Sequence, residues 1–419
     1  MGTGSTLRFA AQTDEVTSLL RIVNLVRTRE AVTRPEIGRL TGLGRGVVTQ
    51  RIDHAIDMGF LEDADLAPST GGRSARTLRF RAERGRIIVC ALGAQHIHVG
   101  ITDLEGNIVD DTHVVWQIAQ GPQATLERAI VLVDELVTQH GERDVWAVVV
   151  GLPGPVDFAT GRPVAPPIMP GWNEFDVRAP FEERYEAPVW VDNDVNMLVL
   201  TEREGRRAPH EDMIYMKIGS GVGSALLSRG RLHRGANGSA GDIGHVRIAG
   251  AEEQCRCGKT GCLEAVAGGW ALIRDAERAI ADGATSVLAD RVAAGEPLQP
   301  EHITLAVRDG DALALKLVQT SARVAGDALA VLVNMFNPKT IIIGGAIASA
   351  GEVMLAEVRQ RIYELSLPLA TRDLVIDTSR KDQSAPISGG AELAIEELFE
   401  TTFPRWFADA RPSPALTRV

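Results

Sequence analysis

Apolar residues in the first sixty positions of the chain recur at helical spacing. Between Asp14 and Glu30 they fall three or four residues apart, which predicts an amphipathic helix with an inward face of Val16, Leu19, Leu20, Ile22, Val23 and Val26. Thr33 and Glu36 have the spacing of a capping box with a proline between them, so a second helix is predicted to run to about residue 40. A glycine-bearing turn at 41–44 leads into a third helix, predicted from 45 to about 58 with inward positions at Val47, Val48, Ile52 and Ile56. Two helices joined by a short turn indicate a helix-turn-helix.

The stretch at 68–80 predicts a hairpin tip leading into a strand, which would be the wing of a winged helix. Polar side chains near the start of the third helix can reach base edges in a major groove, and wing arginines can contact phosphates or the minor groove. The predicted DNA contacts are Arg34, Arg45, Thr49, Gln50, Arg51, Arg73 and Arg76. The alternative is a small helical interaction domain whose arginines are only solvated.

From residue 86 onward the pattern changes to strands with continuous apolar runs. Two strands and the start of a third lie in 86–109, a helix is predicted at about 123–140, and 145–150 is a buried strand. This order of elements opens an actin-like lobe of the ribonuclease-H type. We predict a winged helix-turn-helix domain at 1–85, a first lobe at 86–200 completed by a C-terminal helix at about 385–402, a second lobe at 201–384, and a tail at 403–419. The tail shows no period and is expected to be partly disordered.

Charge separates the first 86 residues from the remainder. The whole chain has a formal net charge of −11, yet residues 1–86 contain 14 Arg, no Lys and 10 Asp and Glu, a local net charge of +4. A basic head on an acidic body allows a nucleic-acid partner that the average charge would exclude. We find neither the ~20 uninterrupted apolar residues of a membrane span nor a secretory signal pattern. A cytoplasmic, nucleoid-associated protein without a membrane partner is therefore expected.

Three of the four cysteines fall within eight residues. Together with His245, Cys255, Cys257 and Cys262 have the spacing H-x9-C-x-C-x4-C, which supplies the ligand types and number of a closed tetrahedral zinc site. The alternative is a set of reduced core cysteines beside a helix-capping histidine. A disulfide is disfavoured because Cys255 and Cys257 are too close to pair comfortably and Cys90 is far away in the sequence. We expect Zn²⁺ as a structural cofactor.

The same stretch resembles the signature of the ROK family, which groups repressors, open reading frames and sugar kinases. Gly-Asp242-Ile-Gly-His245 is followed by Cys-x-Cys-Gly-x-x-Gly-Cys-x-Glu, and further parts of the family pattern extend across most of 86–402. The resemblance implies an α/β, two-lobed, actin-like sugar kinase fold, here preceded by an all-α/winged-helix DNA-binding domain. It also implies that sugar contacts Asn193, Asp194, Asp242, His245 and Glu264. In this family His245 would give one ring nitrogen to zinc and the other to a sugar hydroxyl, and the position of Asp242 usually holds Glu, which reaches further.

The first hairpin of the body departs from the kinases of this family. They carry Asp-x-Gly-Gly-Thr for magnesium and phosphate, whereas this chain has Ala91-Leu-Gly-Ala-Gln95. The carboxylate, the second glycine and the hydroxyl are missing, so phosphoryl transfer is predicted to be severely impaired or absent. No catalytic residue is assigned, and Asp194 occupies the vestigial position of the general base.

The resemblance and this departure favour a sugar-responsive transcriptional regulator, in the first place a repressor. Its expected partners are double-stranded operator DNA and a sugar or sugar derivative, and it is expected to form a homodimer or homotetramer. One alternative is an ATP-dependent sugar kinase with an accessory DNA-binding domain, favoured by Asp194 and the retained glycine hairpin at 219–223. Another is a regulator whose body docks a protein and binds no small ligand. The sequence names neither the sugar, nor the operator, nor the direction of the response.

Overall fold

The computed structural model describes residues 4–66, 76–141, 144–203 and 212–418. Its N-terminal elements, which we call the head, are α1 (Gly4–Arg27), α2 (Arg34–Thr41), α3 (Arg45–Asp57), β1 (Leu61–Leu66) and β2 (Arg76–Phe80). The three helices pack around an apolar core as their spacing predicts, with Leu19, Ile37 and Ile52 fully buried. A capping box begins α2, because the Thr33 side chain accepts from the backbone of Glu36 and the Glu36 carboxylate accepts from the backbone of Thr33.

The outer face of α3 differs from the prediction at one apolar position. Val47 was expected to face the core, but it is 40% exposed, and Val48 takes the inward position of that turn. Strands β1 and β2 pair antiparallel, with Leu61 opposite Phe80, as the two strands of a wing would. The tip of this hairpin, including Arg73, lies outside the described residues.

The first lobe is built on a five-stranded mixed sheet. Its elements are β3 (Arg86–Leu92), β4 (His96–Thr102), β5 (Ile108–Val115), α4 (Pro122–Gln139), β6 (Val145–Leu152), β7 (Val156–Asp157), β8 (Arg162–Pro163), α5 (Arg178–Tyr185), β9 (Val189–Asn193) and α6 (Asp194–Arg203). The strand order is β5-β4-β3-β6-β9, in which β3, β6 and β9 run parallel and β4 runs antiparallel to both of its neighbours. All eight residues of β6 are buried, as expected for a strand covered on both faces.

The second lobe repeats this arrangement. Its elements are β10 (Met213–Ile218), β11 (Val222–Ser228), β12 (Arg231–Leu232), α7 (Leu263–Ala267), α8 (Gly269–Ala281), α9 (Ala289–Ala293), α10 (Pro300–Arg308), α11 (Ala312–Phe336), β13 (Thr340–Gly344), α12 (Glu352–Leu365), α13 (Pro368–Thr371) and β14 (Val375–Thr378). The sheet order β12-β11-β10-β13-β14 has the same strand directions as the first sheet. Two equivalent sheets are what the predicted two-lobed fold requires.

The chain returns to the first lobe at its C-terminal end. Helix α14 (Ala385–Glu396) packs against α6 and the first sheet, and it comes very close to both. A Cβ on Gly389 would lie 1.9 Å from the backbone oxygen of Met197, and one on Gly390 would lie 2.4 Å from Val89. Glycine is therefore required at both positions for this close packing. Across the described residues, no helix is long and apolar enough to cross a membrane.

The tail from Phe403 onward forms two short helices, whereas the sequence predicts a partly disordered segment. It forms α15 (Phe403–Trp406) and α16 (Pro414–Thr417), and both Phe403 and Trp406 are fully buried. We call the six rings that meet here the aromatic cluster: Phe60, Phe80, Trp146, Phe399, Phe403 and Trp406. Phe60 and Phe80 belong to the head and Trp146 to the first sheet. The prediction failed because helices of four residues are too short to show a period. The tail therefore helps to pack the head onto the first lobe.

Candidate functional site

A cleft of about 330 Å³ is lined by residues of both lobes. This volume lies within the usual range of small-molecule sites, roughly 300–1,000 Å³. The structure brings all five residues assigned to sugar into this cleft: Asn193, Asp194, Asp242, His245 and Glu264. The two hairpin turns at 93–96 and 219–223 also line it, as do Gly345 and Ala346. The five candidate sugar residues and the two hairpin turns thus line one space.

Asn193 and Asp194 stand where β9 ends and α6 begins. The side-chain oxygen of Asn193 accepts from the backbone of Val195 at 2.8 Å, and its amide nitrogen donates to the oxygen of Gly154 at 3.0 Å. These bonds fix the orientation of the Asn193 side chain at the start of the helix. Asp194 is the next residue, and its side chain is 14% exposed toward the cleft.

Lys217 is a cleft residue that sequence reasoning missed. It lies on β10 of the second lobe, and its Nζ is 2.6 Å from the Oδ2 of Asp194 on the first lobe. Each side chain is partly enclosed, with exposed fractions of 31% for Lys217 and 14% for Asp194. The only sequence signal was a charged residue within the otherwise apolar strand at 213–218. The pair therefore joins the lobes directly across the candidate sugar site.

Glu264 lies directly on the second glycine hairpin. Its Oε2 accepts from the backbone N–H of Val222 at 3.1 Å, and its Oε1 accepts from the indole of Trp270 at 3.3 Å. A Cβ on Gly221 would lie 2.3 Å from this carboxylate, so a larger residue there would displace the Glu264 side chain. The Trp270 ring in turn has the Arg256 guanidinium 4.7 Å from its centroid. The hairpin at 219–223 thus holds an internal carboxylate on its backbone.

Asp242 immediately precedes the short 3-10 helix Ile243–His245, which carries His245. Its side chain is exposed within the cleft lining, at the position where the family usually has the longer Glu. His245 also lines the cleft, and its Nδ1 lies 3.7 Å from the Sγ of Cys255. The two roles that the family resemblance implies for His245 are therefore compatible with its position.

The four predicted metal ligands converge in the structure. Their ligand atoms all lie within 4.8 Å of one another, with 3.7 Å between His245 Nδ1 and Cys255 Sγ and 3.6 Å between the sulfurs of Cys257 and Cys262. Bond lengths of about 2.0–2.3 Å to a tetrahedral ion place ligand atoms at roughly such separations. Cys90 is buried in β3 and is not part of this group. The residues present fit a metal ion.

The hairpin turn between β3 and β4 is closed by a histidine. Ala91 is buried at the end of β3, and the turn leads into His96, whose ring packs so closely on Gly93 that a Cβ there would lie 2.4 Å from it. His96 is exposed to solvent, yet partial desolvation of its ring lowers the pKa and the nearby Lys217 lowers it further, which favours the neutral imidazole at pH 7. The ring lies against the backbone of the hairpin turn.

The four residues of α3 that are assigned to DNA separate into two groups. Arg45, Thr49 and Gln50 are exposed on the outer face of α3, with the Thr49 hydroxyl donating to the backbone of Arg45 at 3.0 Å. Arg51 points instead toward α1, where its Nη1 lies 2.7 Å from Glu15, and it is only 14% exposed. In this structure Arg51 stabilises the packing of α1 on α3.

The two remaining described arginines share one carboxylate. Arg34 lies 3.1 Å and Arg76 lies 3.8 Å from Asp63 on β1. Arg76 is 70% exposed, so it stays accessible at the base of the wing hairpin.

The sequence pattern of the two lobes also decides the family. Residues 88–397 match the model of the ROK family. The chain belongs to the ROK family.

ROK relatives differ in how much of this chain they cover. The xylose repressor of Caldicellulosiruptor bescii is 26% identical over 393 residues, which is 92% of this chain and 97% of the repressor. A crystal structure of a ROK family transcriptional regulator, a homologue of the E. coli MLC protein, has a TM-score of 0.78 at 26% identity and covers 92% of this chain and 97% of its own. A ROK family glucokinase from Streptomyces griseus, crystallised with glucose and AMPPNP, has a TM-score of 0.64 at 28% identity. The alignment spans 99% of the glucokinase chain but only 74% of this chain. These similarities confirm the two-lobed ROK fold, and those to the repressor and the regulator extend over nearly the whole chain.

Proposed function

We propose that this chain is a ROK transcriptional repressor that binds operator DNA through its head and a sugar or sugar derivative in its cleft. The observation that carries the proposal is the extent of the similarity. The xylose repressor and the transcriptional regulator each match 92% of the chain, whereas the glucokinase leaves about a quarter of it without a counterpart. The helix-turn-helix arrangement of the head supports the same function.

In this proposal α3 is the recognition helix. Arg45, Thr49 and Gln50 would contact base edges in the major groove, because they are exposed near its N-terminal end. Arg34 and the wing residues Arg73 and Arg76 would contact phosphates. A two-fold homodimer, alone or within a homotetramer, would place two such helices on half-sites about one helical turn or a multiple of it apart, so the operator would be pseudo-palindromic.

The cleft is proposed to bind sugar without transferring a phosphate. Asn193, Asp194, Asp242, His245 and Glu264 would contact the sugar, as the family resemblance implies. The hairpin at 91–95 lacks the carboxylate and the hydroxyl with which the kinase hairpin would hold magnesium and phosphate. The neutral His96 ring and the Glu264 carboxylate lie against the two hairpins that would bind this phosphate. The Lys217 ammonium also pairs with Asp194, which would have to accept a proton in catalysis.

Zinc is the metal that the four converging ligands would hold. Three thiolates and one imidazole are a donor set that favours Zn²⁺ in a closed structural site. Bound zinc would fix the ring of His245 and the loop that leads into Glu264, so that two sugar contacts depend on one ion. Its role would be structural, and no reaction step is assigned to it.

The proposal is tested by selecting duplexes from a random library with the purified protein and measuring affinity by fluorescence anisotropy. We expect a pseudo-palindromic operator whose affinity changes when one sugar from a panel of hexoses, pentoses and amino sugars is added. Arg45→Ala should weaken operator binding by about 10-fold or more, corresponding to ~1–3 kcal/mol for a good base contact. Arg291→Ala, which removes an exposed arginine of α9 paired with Glu296, is the matched control and should leave DNA affinity unchanged. A head without affinity for any duplex would overturn the proposal.

A kinase with an accessory DNA-binding domain is the second candidate. Asp194 and the glycine hairpin at 219–223 favour it, since both are retained in the cleft. Incubation with ATP, Mg²⁺ and the same sugar panel separates the two functions. We expect no sugar phosphate above background, and appreciable product would establish the kinase instead.

A further inference from the structure

Two side chains at the centre of the cleft offer opposite hydrogen-bonding chemistry at one point. Asp194 opens α6 on the first lobe, Lys217 lies on β10 of the second, and their charged atoms are 2.6 Å apart. Both line the cleft and both are partly exposed to it. An ammonium has three N–H donors and no acceptor, and a carboxylate has only acceptors. The two atoms are in direct contact, so a ligand group that binds both must bridge them from the cleft side or part them, and it then meets a donor from one lobe and an acceptor from the other.

A hydroxyl is the group that satisfies both partners together. Its oxygen accepts from the ammonium while its proton is donated to the carboxylate, and both hydrogen bonds are charge-assisted. A phosphate ester at the same position has no proton to donate at neutral pH. Its two negative charges would also lie beside Asp194, which is already only partly solvated.

We propose that Lys217 and Asp194 form a hydroxyl clamp that makes the cleft selective for unphosphorylated sugars over their phosphate esters. This inference rests on the proposed function, because it assumes that the cleft binds a sugar. It assigns a specificity role to Lys217 that the family signature does not include, and it chooses between the free sugars and the phosphosugars that the sequence leaves open.

The charges around the clamp act in the same direction. The cleft is lined by four carboxylates and two basic side chains, so its net charge is negative: Asp194, Asp242, Glu264 and Glu301 against Lys217 and Arg256. The guanidinium of Arg256 lies over the Trp270 ring at 4.7 Å. Desolvation of the His96 ring and the nearby Lys217 lower the pKa of this histidine, so it adds little positive charge for a phosphate. A dianionic ligand would therefore enter a negatively charged cleft, whereas a neutral sugar would not be repelled.

The clamp also connects ligand choice to the arrangement of the lobes. Asp194 lies at the start of α6 in the first lobe and Lys217 on β10 in the second, so a hydroxyl bonded to both contacts both lobes together. A phosphate ester that repels Asp194 would separate the two side chains. Only the unphosphorylated sugar would then favour the lobe arrangement in which both side chains bind the same hydroxyl.

The test measures binding of free sugars and their terminal phosphate esters to the full-length protein by isothermal titration calorimetry. The probes are glucose, N-acetylglucosamine and xylose, each with its 6-phosphate or 5-phosphate ester. We expect the free form of the effector to bind at least about 10-fold more tightly than its ester. Lys217→Met should weaken binding of the free sugar by at least about 10-fold, since one charge-assisted hydrogen bond is lost. Asp194→Asn should reduce the preference for the free form, because it removes the charge that repels the ester.

Lys339→Met is the matched control. It removes the same charge from an exposed lysine just before β13, outside the cleft lining, and should leave both affinities unchanged. Circular dichroism spectra that match those of the unsubstituted protein establish that each variant is folded. Tighter binding of an ester, or an unchanged affinity in a folded Lys217→Met variant, would overturn the clamp alone. Binding of none of the free or phosphorylated sugars would overturn the sugar-binding function itself, and the two failures are thereby distinguished.

Discussion

Phe403 provides the sharpest test of how the head is joined to the lobes. This residue lies in the segment after α14, its side chain is fully buried, and its ring centroid is 5.6 Å from Phe60 of the head and 5.0 Å from Trp406. Phe403→Ala removes a ring from the centre of the aromatic cluster. Loss of a buried phenylalanine costs about 3–5 kcal/mol of stability, because the transfer free energy of the ring is lost and a cavity remains. The head should then be held less firmly on the first lobe.

Phe181→Ala is the matched control for this experiment. Phe181 is also fully buried, but it lies on α5 within the core of the first lobe, stacked on Tyr185 at 6.5 Å. We expect a similar loss of stability, about 3–5 kcal/mol, without a change at the contact between head and lobe. The two variants therefore each create a cavity of similar size, but in different parts of the molecule.

Two measurements separate these effects. Urea denaturation gives the loss of stability, and operator affinity with and without the effector gives the coupling between the cleft and the head. We expect the effector-induced change in affinity to fall toward unity in Phe403→Ala and to stay as in the unsubstituted protein in Phe181→Ala. Equal changes in both variants would refute coupling through the aromatic cluster. A loss of stability below about 1 kcal/mol in Phe403→Ala would refute the packing itself.

Three further predictions concern the head, the pH dependence of stability and the metal. Thr33→Ala removes the N-cap of α2 and should lower stability by about 1 kcal/mol in urea denaturation, whereas Thr33→Ser should retain it; an unaffected alanine variant would contradict the capping role. Burial raises the pKa of Glu397; Arg234 opposes this shift, and the neighbouring Glu396 and Asp192 add to it. The ionised carboxylate therefore disfavours the folded state, and stability is lost as pH rises through the pKa of the folded protein. Glu397→Gln should therefore increase the thermal midpoint at pH 8 more than at pH 5, and an equal or opposite difference would be inconsistent with this sign. Cys257→Ser should abolish bound zinc in elemental analysis and lower the thermal midpoint, since structural zinc sites contribute on the order of 10 kcal/mol in small peptides. Cys90→Ala is the control and should retain the metal. Zinc retained by the serine variant would remove Cys257 from the ligand set.

The parts of the molecule that follow a local period were predictable from the sequence. The helices of the head and the strands of both sheets were found because apolar residues repeat every three to four or every two positions, or form continuous runs. Cys255, Cys257 and Cys262 were predicted as candidate metal ligands because they are close in sequence. His245 was added because its residue type and spacing complete a four-ligand set.

The parts that depend on tertiary contacts were not predictable in this way. Lys217 and Asp194 are 23 positions apart and meet only because the two lobes face each other. Arg51 lies on the predicted recognition helix, but Glu15 of α1 holds its side chain inward. Val47 fits the helical period as well as Val48 does, and only the packing of α3 decides which of them is buried.

A continuous series of packed elements links the cleft to the head. Helix α6 begins at Asp194 in the cleft, and its backbone at Met197 is in close contact with Gly389 of α14. Helix α14 continues through the π-helical turn Glu397–Thr402 into Phe403, which contacts Phe60 of the head. Because Gly389 leaves no space between α6 and α14, a shift of α6 on ligand binding would be transmitted to α14 and would not be absorbed by a gap. The same elements would then orient α3 on DNA, so substitutions at Gly389 should alter the response to the sugar even though this residue contacts neither ligand.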